Sequence, residues 1–257
     1  MSSSVNEVSA HAWLSRQARP DLGTVVSTVI PCLDEEAAIF DVVTAVRAQG
    51  VAEVIVVDGG SHDRTTARAE AAGARTIVEQ RPGYGRAIMA GIAATRPDAT
   101  ILLLLDGDGS DRPEFIPALV APIVRGEADF VLGSRVKGER EAGSLSPQQV
   151  AAGRIAGALL RLIYGVHFTD MSPYRAIRRE ALTRLGMSEE TYGWNLELLM
   201  RVAASGLRAH EIPVGQKRRV GGVSKVSGNA IASVRAACTI VATFVRLALA
   251  LRREQRP

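Results

Sequence analysis

The sequence predicts an α/β fold, a mostly parallel sheet with right-handed crossovers and helices on both faces. Two observations carry this expectation. Strand-like and helix-like segments alternate from residue 24 to residue 133. The apolar run Ile101–Leu105 is far too short to cross a membrane and reads as a strand buried on both faces. A chain of 257 residues, 47% apolar, suffices for one sizeable domain with appended helices.

The elements follow in order. Residues 1–22 are polar, include Glu7 and lack an apolar core segment, so a frayed tail is expected, not a signal peptide. Thr24–Pro31 is β-branched and apolar, a first strand. Glu35–Gln49 then spaces Ile39, Val42, Val43 and Val46 as one helical face. Glu53–Asp58 is a second strand, followed by a Gly-Gly-Ser turn and a helix from about Asp63 to Ala72. Arg75–Glu79 is a short third strand, Arg86–Ala94 a helix, and Thr100–Leu105 the fourth strand. Pro113–Arg125 reads as a helix with proline in its first turn. Asp129–Gly133 is a further strand, and Lys137–Pro147, charged and without periodicity, is a loop.

Three strands run into acidic turns: Pro31-Cys32-Leu33-Asp34-Glu35-Glu36, Asp58-Gly59-Gly60-Ser61-His62-Asp63 and Asp106-Gly107-Asp108. Ligands gather beyond the carboxyl ends of parallel strands, so these acids converge where chemistry is expected. Clustered carboxylates repel unless something positive lies among them. Paired carboxylates on a short turn suit Mg²⁺ or Mn²⁺, which bind through one or two such groups and a substrate's phosphates. The alternative for Asp106 and Asp108 alone is a helix-capping cluster ahead of Pro113. Convergence of three acidic strand ends favours a nucleotide–metal site.

Composition narrows the function classes. Aromatic residues are only 4% of the chain, which argues against a base-stacking nucleic-acid platform. Net charge is +4, but the last 50 residues hold ten Lys or Arg against Glu211 and Glu254. That basic end suits phosphate-bearing partners or an anionic membrane surface. Cys32 and Cys238 form neither a disulfide framework nor a metal motif, so a cytoplasmic setting is expected.

The ordered set Pro31-x-Leu33-x-Glu35-Glu36, Val57-Asp58-Gly59-Gly60-Ser61-x-Asp63-x-Thr65, Gly83-Tyr84-Gly85-Arg86 and Asp106-x-Asp108 resembles the family 2 glycosyltransferases of the GT-A fold. Gly133-Ser134-Arg135, Thr169-Asp170-Met171-Ser172-Pro173-Tyr174-Arg175 and Arg219-Val220-Gly221-Gly222-Val223-Ser224-Lys225 resemble the polyprenyl-phosphate (dolichyl-phosphate) hexose synthase branch. The resemblance spans about residues 24–228. It implies a glycosyltransferase domain over 23–228 followed by a C-terminal amphipathic helix within 229–257.

By the same resemblance, Pro31, Leu33 and Glu35 line a nucleobase and ribose pocket, and Asp58 contacts the base. Gly85 and Arg86 lie under the nucleotide, and Asp106 and Asp108, with Gly107 between them, hold the metal that bridges to the donor diphosphate. Arg219, Ser224 and Lys225 belong to a loop over the phosphates, and Arg135 lies near the acceptor phosphate. Two positions depart from the branch. Ser110 stands where many synthases carry a third metal ligand, and Ser172-Pro173-Tyr174-Arg175 replaces Ser-Gly-Phe-Arg.

The implied reaction is metal-dependent, inverting transfer of a hexose from a nucleotide-sugar such as UDP-glucose or GDP-mannose to polyprenyl phosphate. An anionic acceptor oxygen needs no strong base, and no convincing base motif occurs in the chain. Arg219 and Lys225 would add positive charge at the diphosphate. For a hydroxyl acceptor, Asp170 is the available base; otherwise it orients Arg175 or Lys225. A nucleotidyltransferase is a weaker alternative, because its Gly-rich basic loop after the first strand is here Pro31–Glu35, acidic and without glycine. A non-catalytic nucleotide-sugar binder is another. Tyr192-Gly193 is expected to shape the acceptor or sugar pocket, and Trp194 to lie in the core.

Two apolar segments bear paired arginines. Val150–Val166 carries Arg154 and Arg161, seven apart and so on one helical face; Ile231–Leu251 carries Arg235 and Arg246. The uninterrupted stretch Ala236–Val245 is about half the length that a span requires. An interfacial helix is expected, peripheral at the cytoplasmic face of the cell membrane, with Arg252 and Arg253 at headgroup level. The alternative is packing on the sheet or on a second subunit, a homodimer.

Overall fold

The computed structural model describes residues 24–221 and 241–251. The expected tail, Ser224, Lys225, Cys238, Arg235, Arg252 and Arg253 lie outside the described residues.

Seven strands form one sheet: β1 (Val26–Cys32), β2 (Glu53–Asp58), β3 (Arg75–Val78), β4 (Ile101–Leu104), β5 (Phe130–Ser134), β6 (Arg175–Arg178) and β7 (Ala209–Pro213). Their order is β3-β2-β1-β4-β6-β5-β7. All pair in parallel except β6, which runs antiparallel to both β4 and β5. The helices are α1 (Ile39–Arg47), α2 (Thr65–Ala71), α3 (Tyr84–Ala94), α4 (Ile116–Val124), α5 (Pro147–Tyr164), α6 (Arg179–Leu185) and α7 (Trp194–Ser205). A 3₁₀ turn, Pro113–Phe115, leads into α4, and residues 241–251 are helical.

Strand pleating divides the apolar residues between two cores. Val29, Ile55, Val57, Leu102 and Leu104 face one side, while Ile30, Val54, Val56, Ile101 and Leu103 face the other. This two-sided burial is why the strands read as continuous apolar runs. Helices α1, α2 and α4 cover one face. The other is covered by α3, α5, α6, α7 and the buried side chains of Phe244, Leu247 and Leu251 from the C-terminal helix. Gly91 lets α3 lie directly on β1 and β2, since a Cβ there would strike Val29. Trp194 is fully buried, as expected.

Two strands departed from the sequence reading. β6 is only four residues, Arg-Ala-Ile-Arg, and β7 is a partly exposed strand containing His210 and Glu211. Helix α5 begins at Pro147, earlier than the apolar run suggested, because Ser146 and Gln149 form a reciprocal capping box.

Candidate active site at the switch point of the sheet

The chain runs outward from β1 to β2 and β3, then returns to place β4 on the other side of β1. A crevice opens at such a reversal, beyond the carboxyl ends of β1 and β4. Register explains what lines it. Val29 pairs with Leu104 and Cys32 with Asp58, so extending β4 by three residues brings Gly107 level with Cys32. A Cβ on Gly107 would collide with Cys32 Sγ, which is why the residue between the two aspartates is glycine. Cys32 is a buried free thiol, and burial beside four carboxylates holds it well above its ordinary range.

The acidic turns after β1 and β2 are laced together. Asp34 Oδ1 accepts the His62 amide at 2.9 Å, while the Asp34 and Glu35 amides donate to Ser61 Oγ and Thr65 Oγ1. Asp34 is the one non-glycine residue among those described with positive φ, at 56°. Asp58 is buried and accepts the Gly60 and Ser61 amides at 3.1 and 3.0 Å, so its carboxylate shapes the Gly-Gly-Ser turn.

Beyond β4, burial and then repulsion from Asp108 push the Asp106 carboxyl up to about 6. Tyr84 Oη donates to Asp106 Oδ1 at 3.3 Å. Asp111, which accepts the Asp106 amide, is pushed up to about 8 by burial and then by Asp106; its Oδ1 is buried without a hydrogen bond. Asp108 Oδ1 accepts the Ser110 amide, leaving Oδ2 toward Arg219 at 3.7 Å. The same guanidinium donates to Glu35 Oε1 at 2.7 Å. Arg219 therefore bridges the acids that follow β1 and β4, and the loop carrying it is pinned by amide bonds from Lys217 and Val220 to the carbonyls of Ser110 and Asp108.

No group of three or more Cys, His, Asp or Glu among the described residues gathers at metal-ligand spacing. A divalent ion here would rest on Asp106 and Asp108 and complete its shell with phosphate oxygens and water, the pattern Mg²⁺ favours. The donor set fits: two oxygen ligands, one of them, Asp106, raised to about 6 by burial and by its neighbour Asp108.

Asp170 requires a correction. It was expected to serve as a base or to orient Arg175 or Lys225. Instead both its oxygens accept from Arg135, Nε to Oδ2 and Nη2 to Oδ1, each at 2.8 Å, and the Arg135 amide adds a third bond. Arg135 is 8% exposed, and its Nε and Nη2 are taken up by this buried pair. Arg175 is fully buried over Trp194 and donates to the Pro173 and Ser172 carbonyls and Asn195 Oδ1; desolvation lowers its pKa to about 10.

Gly85 and Arg86 also have structural duties. A Cβ on Gly85 would strike the Glu189 carbonyl, and Arg86 pairs with Glu190 while its amide donates to the Glu190 carbonyl. They clamp the 188–193 loop against α3. Tyr192 from that loop stacks on Tyr84, ring centroids 5.8 Å apart. Pro31 lies in β1, paired with Val57, and Leu33 contacts Gly59 as the chain leaves the sheet. Tyr84, Asp111 and Asn195 were given no role in the sequence reading; only Tyr84 carried a signal there, inside Gly83–Arg86.

A mostly parallel sheet with one antiparallel strand, acids converging at its switch point and an Asp-Gly-Asp turn beyond β4 define a glycosyltransferase of the GT-A fold. A family model described as glycosyl transferase family 2 matches residues 27–186. The chain belongs to that family and is a transferase enzyme. It is 41% identical over 214 residues to an uncharacterized glycosyltransferase of Mycobacterium tuberculosis, covering 82% of this chain and 94% of the relative. It is 34% identical over 205 residues to a dolichyl-phosphate hexose transferase of Haloferax volcanii, covering 78% and 85%. Among solved structures it resembles glucosyl-3-phosphoglycerate synthase of M. tuberculosis in complex with Mn²⁺, UDP-glucose and phosphoglyceric acid. That match has a TM-score of 0.70 and 26% identity, covering 91% of this chain and 83% of the other.

Proposed function

We propose that this enzyme transfers a hexose from a nucleotide-sugar to a phosphate-bearing acceptor, with inversion and with Mg²⁺ or Mn²⁺ held by Asp106 and Asp108. The observation that carries the reading is the Asp106–Asp108 turn facing Glu35 and Arg219 across the switch point. The relatives with Mn²⁺ and UDP-glucose bound support it. The ion, when bound, neutralises charge that develops on the departing diphosphate.

The chain's own groups do the rest. Asp58, Glu35, Pro31 and Leu33 line the nucleotide end, with Gly85 and Arg86 fixing the loop beneath it. Arg219, now paired with the acids, turns its fork to the diphosphate once that ligand supplies the anionic oxygens. Ser224 and Lys225 lie outside the described residues. Among the described residues Asp170, the expected base, is tied to Arg135 by both its oxygens. An acceptor whose nucleophilic oxygen is already anionic meets that constraint, and polyprenyl phosphate is such an acceptor. A soluble phosphate ester is the second reading, favoured by the fold match to the phosphoglycerate complex.

The proposal includes peripheral attachment to the cytoplasmic face of the cell membrane. No helix among the described residues is long and apolar enough to cross one. The C-terminal helix turns Val241, Val245 and Leu249 outward, and α5 exposes Leu162 and Ile163. Flotation with anionic vesicles tests attachment; a protein left wholly at the bottom of the gradient removes it. Activity is tested by incubating the chain with UDP-glucose or GDP-mannose, Mn²⁺, and either undecaprenyl phosphate or 3-phosphoglycerate. Release of nucleoside diphosphate that requires a phosphate acceptor supports the reading, and release equal with and without acceptor defeats it.

A further inference from the structure

We propose that the C-terminal helix braces the reaction centre, Arg246 and Glu189 being positioning residues that act on Asp106 through the 188–193 loop and Tyr84. This goes beyond the reading of Asp106 as a metal ligand and rests on it.

The contacts run in sequence from the helix to the carboxylate turn. Arg246 pairs with Glu189 Oε2, while Glu189 Oε1 accepts the Thr191 amide at 3.2 Å and the Thr191 hydroxyl at 2.6 Å. Tyr192 follows directly and stacks on Tyr84, whose hydroxyl donates to Asp106 Oδ1 at 3.3 Å. Asn195, two residues past the loop, hydrogen-bonds the same tyrosine. Glycines on both sides of Tyr84 lie against the loop's backbone. A Cβ on Gly83 would strike the Glu190 carbonyl, and one on Gly85 the Glu189 carbonyl. A shift of the loop therefore carries Tyr84 with it.

Two carboxylates hold the loop in different ways. Glu197, fully buried and paired with Arg201 at 2.9 Å, accepts the Ser188 and Glu189 amides and so fixes where the loop begins. Beyond that point its order depends on Glu189. That side chain is 7% exposed; burial would raise its pKa, yet hydrogen bonds from Thr191 and Arg246 keep it below the ordinary range. A carboxylate so enclosed stays charged only with such partners. Without Arg246 it turns out to water or takes a proton, and either response deprives Thr191 of an ionised acceptor.

The helix places Arg246 through its apolar anchors. Phe244, Leu247 and Leu251 are buried at i, i+3 and i+7, which fixes the rotation of the helix and sets Arg246 beside the loop. The Arg246 side chain is 60% exposed, so the pair adds little to global stability. Its loss should read as local motion at the turn, not as unfolding.

The test compares the full chain with Arg246→Ala, Arg246→Lys, Tyr84→Phe and the double variant Tyr84→Phe/Arg246→Ala. Hydrogen exchange without ligands is followed by mass spectrometry over residues 106–111, 188–193 and, in β3, 75–78; Mn²⁺ binding is followed by calorimetry. Arg246→Ala should speed exchange at least about threefold in both 188–193 and 106–111, leave β3 unchanged, and weaken Mn²⁺ binding by a similar factor. Arg246→Lys should return both toward wild type, because a point charge serves a single carboxylate oxygen. The double variant should bind Mn²⁺ no more weakly than Tyr84→Phe does, since the brace acts through that hydroxyl. Faster exchange confined to 188–193, an equal rise in β3, no recovery with lysine, or additive losses of Mn²⁺ affinity each overturns the brace. If exchange at 106–111 responds as expected but wild type binds no Mn²⁺, the brace stands and the metal reading fails.

Discussion

Asp170 grips Arg135 through both carboxylate oxygens at 2.8 Å and takes its backbone amide as well, in a pair shut away from solvent at the end of β5. Coulombic attraction and three hydrogen bonds outweigh the desolvation of the carboxyl, which stays below its ordinary range although burial alone would raise it. Replacing Asp170 by Asn keeps the shape but strands a buried guanidinium. Thermal unfolding of Asp170→Asn should show a loss of about 3–5 kcal/mol. An unchanged melting temperature would mean that the pair contributes nothing to holding the acceptor side of the sheet.

Asp108 has a lighter structural duty, one amide bond from Ser110 and a 3.7 Å approach to Arg219. Asp108→Ala should therefore fold with a melting temperature close to wild type, while Mn²⁺-dependent binding of UDP is abolished. Turnover should fall by at least about 10²-fold, the scale expected when an electrostatic partner of the leaving group is lost. Undiminished turnover in Asp108→Ala would remove the metal assignment.

The glycine between the two aspartates gives a steric prediction with its own control. A methyl group at residue 107 meets Cys32 Sγ, with Ile30 and Ile39 close behind. Gly107→Ala should cost about 1–3 kcal/mol by overpacking. Adding Cys32→Gly vacates the collision and should recover part of that loss, giving a positive coupling in a double-mutant cycle. Strictly additive losses would show that backbone conformation, not Cys32, demands the glycine.

The pH dependence carries two signs. Hydrogen bonds from Arg208 hold Asp129 down to about 2, below its unfolded value of about 3.9. Its contribution is full above pH 4 and is lost as pH falls from 4 through 2. Asp106, at about 6, and Asp111, at about 8, lie above their unfolded values, so the folded chain gains stability as they take protons between pH 8 and 4. Without ligands, denaturant unfolding should thus find greatest stability near pH 4. Metal binding needs the ionised Asp106 and should strengthen from pH 5 to 7, opposite in direction to stability. A single trend in both measurements would contradict these assignments.

How much of this was legible before folding depended on the range of each interaction. β1, β2 and β4 announced themselves because strands buried on both faces are apolar throughout, and their acidic ends followed directly. β6 was hidden: Arg175 and Arg178 flank two apolar residues, and nothing local says that such a piece lies mid-sheet between β4 and β5. The Arg135–Asp170 pair joins positions 35 residues apart with no periodicity to mark them, so Asp170 invited assignment as a base. Gly85 and Arg86 were visible as a motif, but their grip on residues 189 and 190 exists only in three dimensions. Ser146 and Gln149 did carry a capping signal for α5, masked by the charged loop before them.

Arg219 offers a prediction in which binding and turnover part company. With no ligand bound, its guanidinium is a counter-charge in the crevice, 2.7 Å from Glu35 and 3.7 Å from Asp108. Arg219→Ala removes that internal counter-charge, leaving Glu35, Asp106 and Asp108 to repel one another. Mn²⁺ alone should then bind the free enzyme several-fold more tightly than it binds wild type. The diphosphate loses the fork that would have closed on it, so UDP affinity and turnover should both fall, by tenfold or more. Arg219→Lys restores charge without the planar fork and should return Mn²⁺ affinity toward wild type while recovering little of the turnover. Titration of Mn²⁺ followed by UDP for each variant separates the two roles. If Arg219→Ala weakened Mn²⁺ binding in the absence of nucleotide, the arginine would be an organiser of the carboxylates and not their displaceable partner.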